Sequence, residues 1–159
     1  MKHKVNDSVT NIVVNRKAKY NYFVESTLDA GLVLLGWEVK ALKLGNVNIV
    51  NSYVSFHLGE VYLFGVQFNP LHTTSLHTFH HLKRKIKVLL KKNEIISLHN
   101  KIYKNGYTAI VLSFFLKNSW CKIKIAIAKG KTQRDKRDEE KKSMWNLEKS
   151  RIMKKVNLV

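Results

Sequence analysis

Residues 107–128 constrain the fold more than any other stretch. Tyr107–Leu116 is nearly all apolar. Lys117-Asn118-Ser119 is a loop, and Trp120, Lys122 and Lys124 then alternate with Cys121, Ile123, Ile125 and Ile127. A period of two puts successive side chains on opposite faces of a sheet. One face is therefore core, the other is aromatic and basic, and the unit is an antiparallel hairpin.

The pattern recurs upstream. Val54, Phe56 and Leu58 alternate with Tyr53, Ser55 and His57. Gly59-Glu60 suits a type II′ turn, with Val61–Phe68 as the return strand. Lys83–Leu90 predicts a half-buried strand with Lys85 and Lys87 on its outer face. Residues 20–35 are strand-rich, and Gly31 within them marks a bulge or a close backbone approach. Short helices interrupt the strands. Leu35, Val39 and Leu42 stand at i, i+4 and i+7 in 36–44, and Gly45 follows as a C-terminal glycine should. Asn93 caps a helix to about Lys104, with Gly106 past its end. Residues 69–82 are a loop opened by Asn69-Pro70. So many short antiparallel strands leave edges that barrel closure removes. The expected fold is mainly β: a small antiparallel OB-like barrel over residues 15–130 with two or three short helices. A flexible N-terminal arm (1–14) precedes it and a basic C-terminal tail (131–159) follows.

Charge narrows the function. The chain of 159 residues carries 29 Lys and Arg against 11 Asp and Glu, a formal +18. The excess is segregated. Residues 82–104 hold eight basic side chains against Glu94, and residues 129–159 hold eleven against five acids. Such a field suits a binding face and a tail for a polyanion. The tail has few apolar residues, among them Met144, Trp145, Leu147, Ile152 and Met153. It is helix-competent, and expected to stay disordered until a partner supplies surface. Tyr20, Tyr22, Tyr53, Trp120, Lys122 and Lys124 combine rings that stack on bases with cations that meet phosphates; packing at a core or edge is the plainer role for any one ring.

Enzyme chemistry finds little support. The chain lacks a P-loop, a G-x-G-x-x-G, an H-E-x-x-H and a C-x-x-C. Cys121 is its single cysteine, set in an apolar row, where a thiol is inert. No intrachain disulfide is possible, which fits a reduced, cytoplasmic, soluble protein. His72, His77, His80 and His81 cluster without an acid or cysteine among them, so phosphate contact or no role is expected rather than a metal. No cofactor, membrane span or secretory signal is expected.

Several motifs together resemble the small protein B family, the tmRNA-binding proteins of bacterial trans-translation. They are Asn15-Arg16-Lys17-Ala18-Lys19 with Tyr22-Phe23, Ala30-Gly31-Leu32, Gly36-Trp37-Glu38-Val39-Lys40, Asn51-Ser52-Tyr53-Val54, Gly106-Tyr107-Thr108 and Trp120-Cys121-Lys122. Ala128-Lys129-Gly130-Lys131, Asp135-Lys136-Arg137 and Arg151-Ile152-Met153-Lys154 continue the match, which covers about residues 15–155. The resemblance implies an OB-like barrel that binds the tRNA-like domain of tmRNA (the SsrA RNA) at its D-loop and elbow and enters stalled ribosomes. It implies no catalysis, with alanyl-tRNA synthetase and elongation factor Tu as indirect partners of a monomer.

By the same resemblance, Asn15, Arg16, Lys17, Tyr20, Tyr22, Asp29, Gly31, Tyr53, Leu89, Lys91 and Trp120 belong to the RNA face. Lys122, Lys124, Lys129 and Lys131 reach phosphates. Asp135, Lys136, Arg137, Trp145, Arg151, Ile152, Met153 and Lys154 form the ribosome-binding tail, helical in the empty mRNA channel beside the decoding region. The chain departs from the family at Asp29 (usually Glu), Lys91 (Asn or His), Tyr20 (often His) and Arg134 (often His). Lysine at 91 trades a directional donor and acceptor for a point charge. A general OB-type single-strand binder or a structural ribosomal protein is the second reading, and it predicts sequence-tolerant binding. A hydrolase built on the His72–His81 loop is the third.

Overall fold

A computed structural model of the chain describes residues 9–71 and 84–156. The four histidines of the 72–81 loop and residues 1–8 of the expected arm lie outside the described residues. The elements are β1 (Val9–Val14), α1 (Arg16–Asn21), β2 (Tyr22–Leu32), α2 (Gly36–Lys43), β3 (Val47–Asn48), β4 (Tyr53–His57) and β5 (Glu60–Phe64). β6 (Gln67–Phe68), β7 (Ile86–Leu89), α3 (Lys92–Asn105), β8 (Thr108–Lys117), β9 (Trp120–Gly130) and α4 (Gln133–Val156) follow. The protein is mainly β, with a large antiparallel sheet. The main ladder runs β1-β8-β4-β5-β7-β2-β9, and β8 also pairs with β9. A path leaving β8 through β4, β5, β7, β2 and β9 therefore returns to β8.

The 107–128 hairpin forms with Lys117 opposite Trp120. That leaves Asn118 and Ser119 as a two-residue loop, both at positive φ (+49° and +67°). This is type I′ geometry, which matches the twist of paired strands. The β4–β5 turn is of the same kind. His57 pairs with Glu60, so the loop is Leu58-Gly59, with φ of +50° and +77°. The expected type II′ turn at Gly59-Glu60 is thus corrected by one residue. The expected return strand breaks in two at Gly65, whose φ is +74° and where a Cβ would lie 2.6 Å from the Asn51 carbonyl oxygen.

The core lies inside the ladder. Val54, Leu63, Ile86, Val88, Phe114, Ile123 and Ile125 are buried there, joined by Leu42 of α2 and Leu98 of α3. Phe68 meets Phe114 and Trp37 edge-on, each at 6.3 Å between ring centres. A second, smaller cluster forms where Ala18 of α1 packs on Ile110, Ala126 and Ala128. β8 is consequently buried on both faces, and this explains why Tyr107–Leu116 reads as a nearly unbroken apolar run.

Four further expectations change. The arm is not free over residues 9–14, because β1 pairs with β8 from Val9↔Lys117 to Val14↔Ser113. Residues 16–21 are helical, started by the Asn15 side chain accepting from the Ala18 N–H at 3.2 Å. Tyr20 therefore stands on a helix and not on a strand. α3 begins earlier than an Asn93 cap allows: Lys91 is its cap residue, and its N–H donates to Glu94 at 2.8 Å. The tail expected to be disordered is a continuous helix, α4. Its 24 residues include no Gly or Pro and many good helix formers. It starts with a reciprocal capping box: Thr132 N–H donates to the Asp135 carboxylate at 2.9 Å, and Asp135 N–H to the Thr132 hydroxyl at 3.3 Å.

Candidate nucleic-acid interface

The alternation of β2 and β9 decides which side chains face outward. Ala30, Ile123 and Ile125 are buried, so Asp29, Gly31, Lys122 and Lys124 take the opposite face. The register places Asp29 beside Lys124 and Gly31 beside Lys122. On the other side Gly31 pairs with Leu89 of β7. A Cβ at position 31 would lie 3.3 Å from the Leu89 Cβ, so glycine makes the close approach that the sequence predicts. Half-exposed Leu89 is left on the outer face. These strands open a groove of about 750 Å³ lined by Asp29, Gly31, Leu89, Lys91, Lys122 and also Lys87 and Glu60.

A second concavity, about 390 Å³, is lined by Asn15, Lys17, Tyr22 and Tyr53 together with Asn21, Val50, Asn51 and Ser52. The residues assigned to one RNA face by resemblance are thus divided between two places. Tyr53 is half-exposed and stacks on Phe64 at 5.6 Å and 14°, which fixes its ring. Asn15 is a different kind of residue. It is buried, its amide donates to the Val111 carbonyl at 3.1 Å and to the Ile49 carbonyl at 3.4 Å, and its oxygen caps α1. Its polar atoms are occupied by the body. Glu38, central to the Gly36–Lys40 motif, is also structural. Fully buried, it accepts from the Leu35 N–H at 2.7 Å and from Arg84 Nε and Nη2 at 2.6 Å each.

The remaining residues lie apart from both hollows. Trp120 is 74% exposed on the β8–β9 turn. Lys124 Nζ lies 5.9 Å from the Phe115 ring centre. Lys129 is exposed opposite Phe23. Lys131 is not free for phosphate in this conformation. Its Nζ donates to the Lys19 carbonyl at 2.7 Å and to both carboxylate oxygens of Glu139, at 2.7 and 2.5 Å, and its side chain is 4% exposed. Asp135 is half-buried in the capping box, whereas Arg137, Trp145, Arg151, Ile152, Met153 and Lys154 are exposed along α4.

Sequence reasoning missed the Glu60 cluster at the rim of the larger groove. Lys87 and Tyr62 both donate to Glu60. Those bonds hold the Glu60 carboxyl below its ordinary range and push the Lys87 ammonium and the Tyr62 phenol up. Only the pairing of β5 with β7, Tyr62 against Lys87, brings these residues together, so no local pattern could have found them. Cys121 lies on β9; burial pushes its thiol up, the opposite of what a nucleophile needs.

Lysines fixed on one outer face of a sheet, with aromatic rings at its rim and a charged helix leaving its last strand, place the chain in the class of small basic proteins that meet a polyanion. The family model described as SmpB protein matches residues 12–155. The chain belongs to the SmpB family. It is 47% identical to the SsrA-binding protein of Buchnera aphidicola subsp. Baizongia pistaciae (strain Bp), over 98% of this chain and 99% of that protein. A solved chain described as "tmRNA-SmpB: a journey to the center of the bacterial ribosome" superposes with a TM-score of 0.65 at 30% identity, covering 81% of this chain and 94% of that one.

Proposed function

We propose that this chain binds the tRNA-like domain of tmRNA and delivers it to stalled ribosomes for trans-translation, without chemistry of its own. The observation that carries the reading is the unbroken SmpB match over residues 12–155, which spans the sheet and α4 together. The circuit of strands through β8 supports an OB-like barrel for the body, now beginning at β1 and not at residue 15. The groove floored by Gly31 and Leu89 and edged by Lys122 and Lys91 offers an apolar seat for an unstacked base and cations for phosphates. The exposed part of α4, with Trp145, Ile152 and Met153 among cations, suits an RNA-walled channel and so the empty mRNA path beside the decoding region. Alanyl-tRNA synthetase and elongation factor Tu are indirect partners of a cytoplasmic monomer. Among the described residues no helix is long and apolar enough to cross a membrane.

Binding to the tRNA-like domain and to an unrelated hairpin of equal length, compared across salt, tests the reading. A clear preference for the tRNA-like domain at moderate salt is expected, and equal affinities would sink it. Truncation after Lys131 leaves that binding in place and abolishes peptide tagging on stalled ribosomes.

A further inference from the structure

Four outward residues form one row across the sheet. The pairing of β9, β2 and β7 places Lys122 beside Gly31 and Gly31 beside Leu89. β5 pairs with β7 through Tyr62↔Lys87 and Leu63↔Ile86, and the same register carried two residues on sets Glu60 across from Leu89. Val61 and Val88 are buried, so Glu60 and Leu89 share the outer face. The row therefore reads cation, glycine, apolar seat, carboxylate, over three strand spacings of about 4.8 Å each. All four residues line the larger groove. Glu60 is oriented before any ligand arrives. Lys87 Nζ donates to its Oε1, and the Tyr62 hydroxyl donates to its Oε2 at 2.8 Å. Tyr62 is held in turn by Lys85, whose Nζ lies 5.4 Å from its ring centre, and by His57, edge-on at 6.0 Å.

A carboxylate repels the phosphates that a groove of lysines attracts, so its place there needs a reason. Fold stability is a poor one, because the Glu60–Lys87 pair is half-exposed and such pairs contribute little. Helix capping is another, but that is the work of Glu94, which lines the same groove and takes the Lys91 N–H. An ionised carboxylate only accepts, and its two oxygens offer about four lone-pair sites. Lys87 and Tyr62 take one on each oxygen, which leaves one on each for a ligand. We propose that Glu60 is a specificity-determining residue that accepts from N1–H and the N2 amino group of an unpaired guanine seated on Leu89 and Gly31, with the phosphate of that nucleotide toward Lys122. Guanine is the RNA base whose pairing edge presents two adjacent donors. Adenine and cytosine present a donor beside an acceptor, and uracil a donor between two acceptors. Those acceptors are repelled by the carboxylate, and repulsion of the wrong ligand is as much a source of specificity as attraction of the right one. The row thus fixes both which base fits and which way it lies. The inference rests on the proposed RNA-binding function and adds a base to it.

The test uses the full chain, as wild type and E60Q, with heptamers of uridine that carry guanosine, inosine or adenosine at the centre. Inosine keeps N1–H and lacks the N2 amino group. Glu60 and Lys87 are half-exposed, so E60Q is expected to fold as wild type does. In wild type the guanosine heptamer should bind about threefold to tenfold more tightly than the inosine heptamer, and the adenosine heptamer should bind most weakly. Nitrogen-15 amide shifts at Gly31, Glu60 and Leu89 should report the contact. In E60Q the three heptamers should bind equally. A carboxylate that acts only by holding Lys87 would change all three affinities by one factor and keep their ratios. Equal affinity for guanosine and inosine in wild type, or a ratio that E60Q leaves unchanged, overturns the assignment. On the same samples, a preference for the tRNA-like domain over an unrelated hairpin would then still uphold the proposed function. Loss of that preference with the guanosine-to-inosine ratio intact would overturn the proposed function and leave the guanine site standing.

Discussion

Helix α3 and helix α4 are both rich in lysine, yet the fold holds them by different means. α3 buries Leu98 in the core, is capped by Glu94, and ends at Gly106 with φ +66°. α4 has a capping box too, but its residues from Arg137 to Lys154 are exposed. Packing of an apolar face gives most helices in proteins their stability, and α4 forgoes it. The body thus fixes its cations in place by burying what lies beneath them, whereas the tail presents charge and scattered large apolar residues with nothing beneath.

The largest effect that could break this contrast comes from truncating the core. Phe114→Ala removes a fully buried ring and should cost about 3–5 kcal/mol. Trp145→Ala, on exposed α4, should change stability by less than about 0.5 kcal/mol while impairing tagging. Urea unfolding of both variants checks this, and a large loss with Trp145→Ala would mean the tail is part of the body. Next in size is Arg84→Ala. It leaves the Glu38 carboxylate buried without its ion-pair partner and should cost about 3 kcal/mol, with RNA affinity of the folded fraction unchanged. An affinity loss beyond the unfolded fraction would place Arg84 in the interface.

The smallest effect concerns pH. Hydrogen bonds from the Thr132 hydroxyl and N–H hold the Asp135 carboxyl below its ordinary range, and those from Lys87 and Tyr62 do the same for Glu60. A carboxyl lowered by folding stabilises above its unfolded value of about 4; that contribution disappears as pH falls through the folded value. Far-UV circular dichroism of wild type should therefore lose a little helix below about pH 4 as the first turn of α4 frays. Asp135→Ala should start lower at neutral pH and lack that step. An identical pH profile in the two proteins would show that the box does not hold the turn.

Much of the fold was legible in local pattern. Period two located β4, β5, β7, β8 and β9, and the Leu35–Leu42 spacing with Gly45 located α2. What escaped depends on distant residues. The Asn118-Ser119 loop carries no glycine, and its left-handed backbone is set by the register of the strands it joins. α1 exists because Asn15 reaches Val111 and because Ala18 finds a berth on β8, neither of which neighbouring residues announce. Alternation already turned Lys122 outward and Gly31 already marked a close approach, whereas Asp29 and Leu89 were legible through the family resemblance alone. The same resemblance assigned Asn15 to the RNA face and included Glu38 in a motif; both are buried, with their polar groups bonded within the body. Propensity favoured a helix in the tail, but sparse apolar residues led to an expectation of disorder. The capping box, and the bonds that Tyr20 and Lys131 donate to Glu140 and Glu139 of α4, supply what apolar packing does not.

The bond from the Asn15 side chain to Val111 spans 96 residues of chain, and β2 lies between β7 and β9, both of which follow it by more than 50 residues. Native pairing at the amino end must therefore wait while those residues are synthesised, roughly 5–20 s at about 5–20 residues per second. Topologies dominated by distant contacts are also slow to fold. During that interval β1 and β2 leave the ribosome without their partners, so the amino end of the nascent chain acquires its shape late, after β8 and β9 have been made.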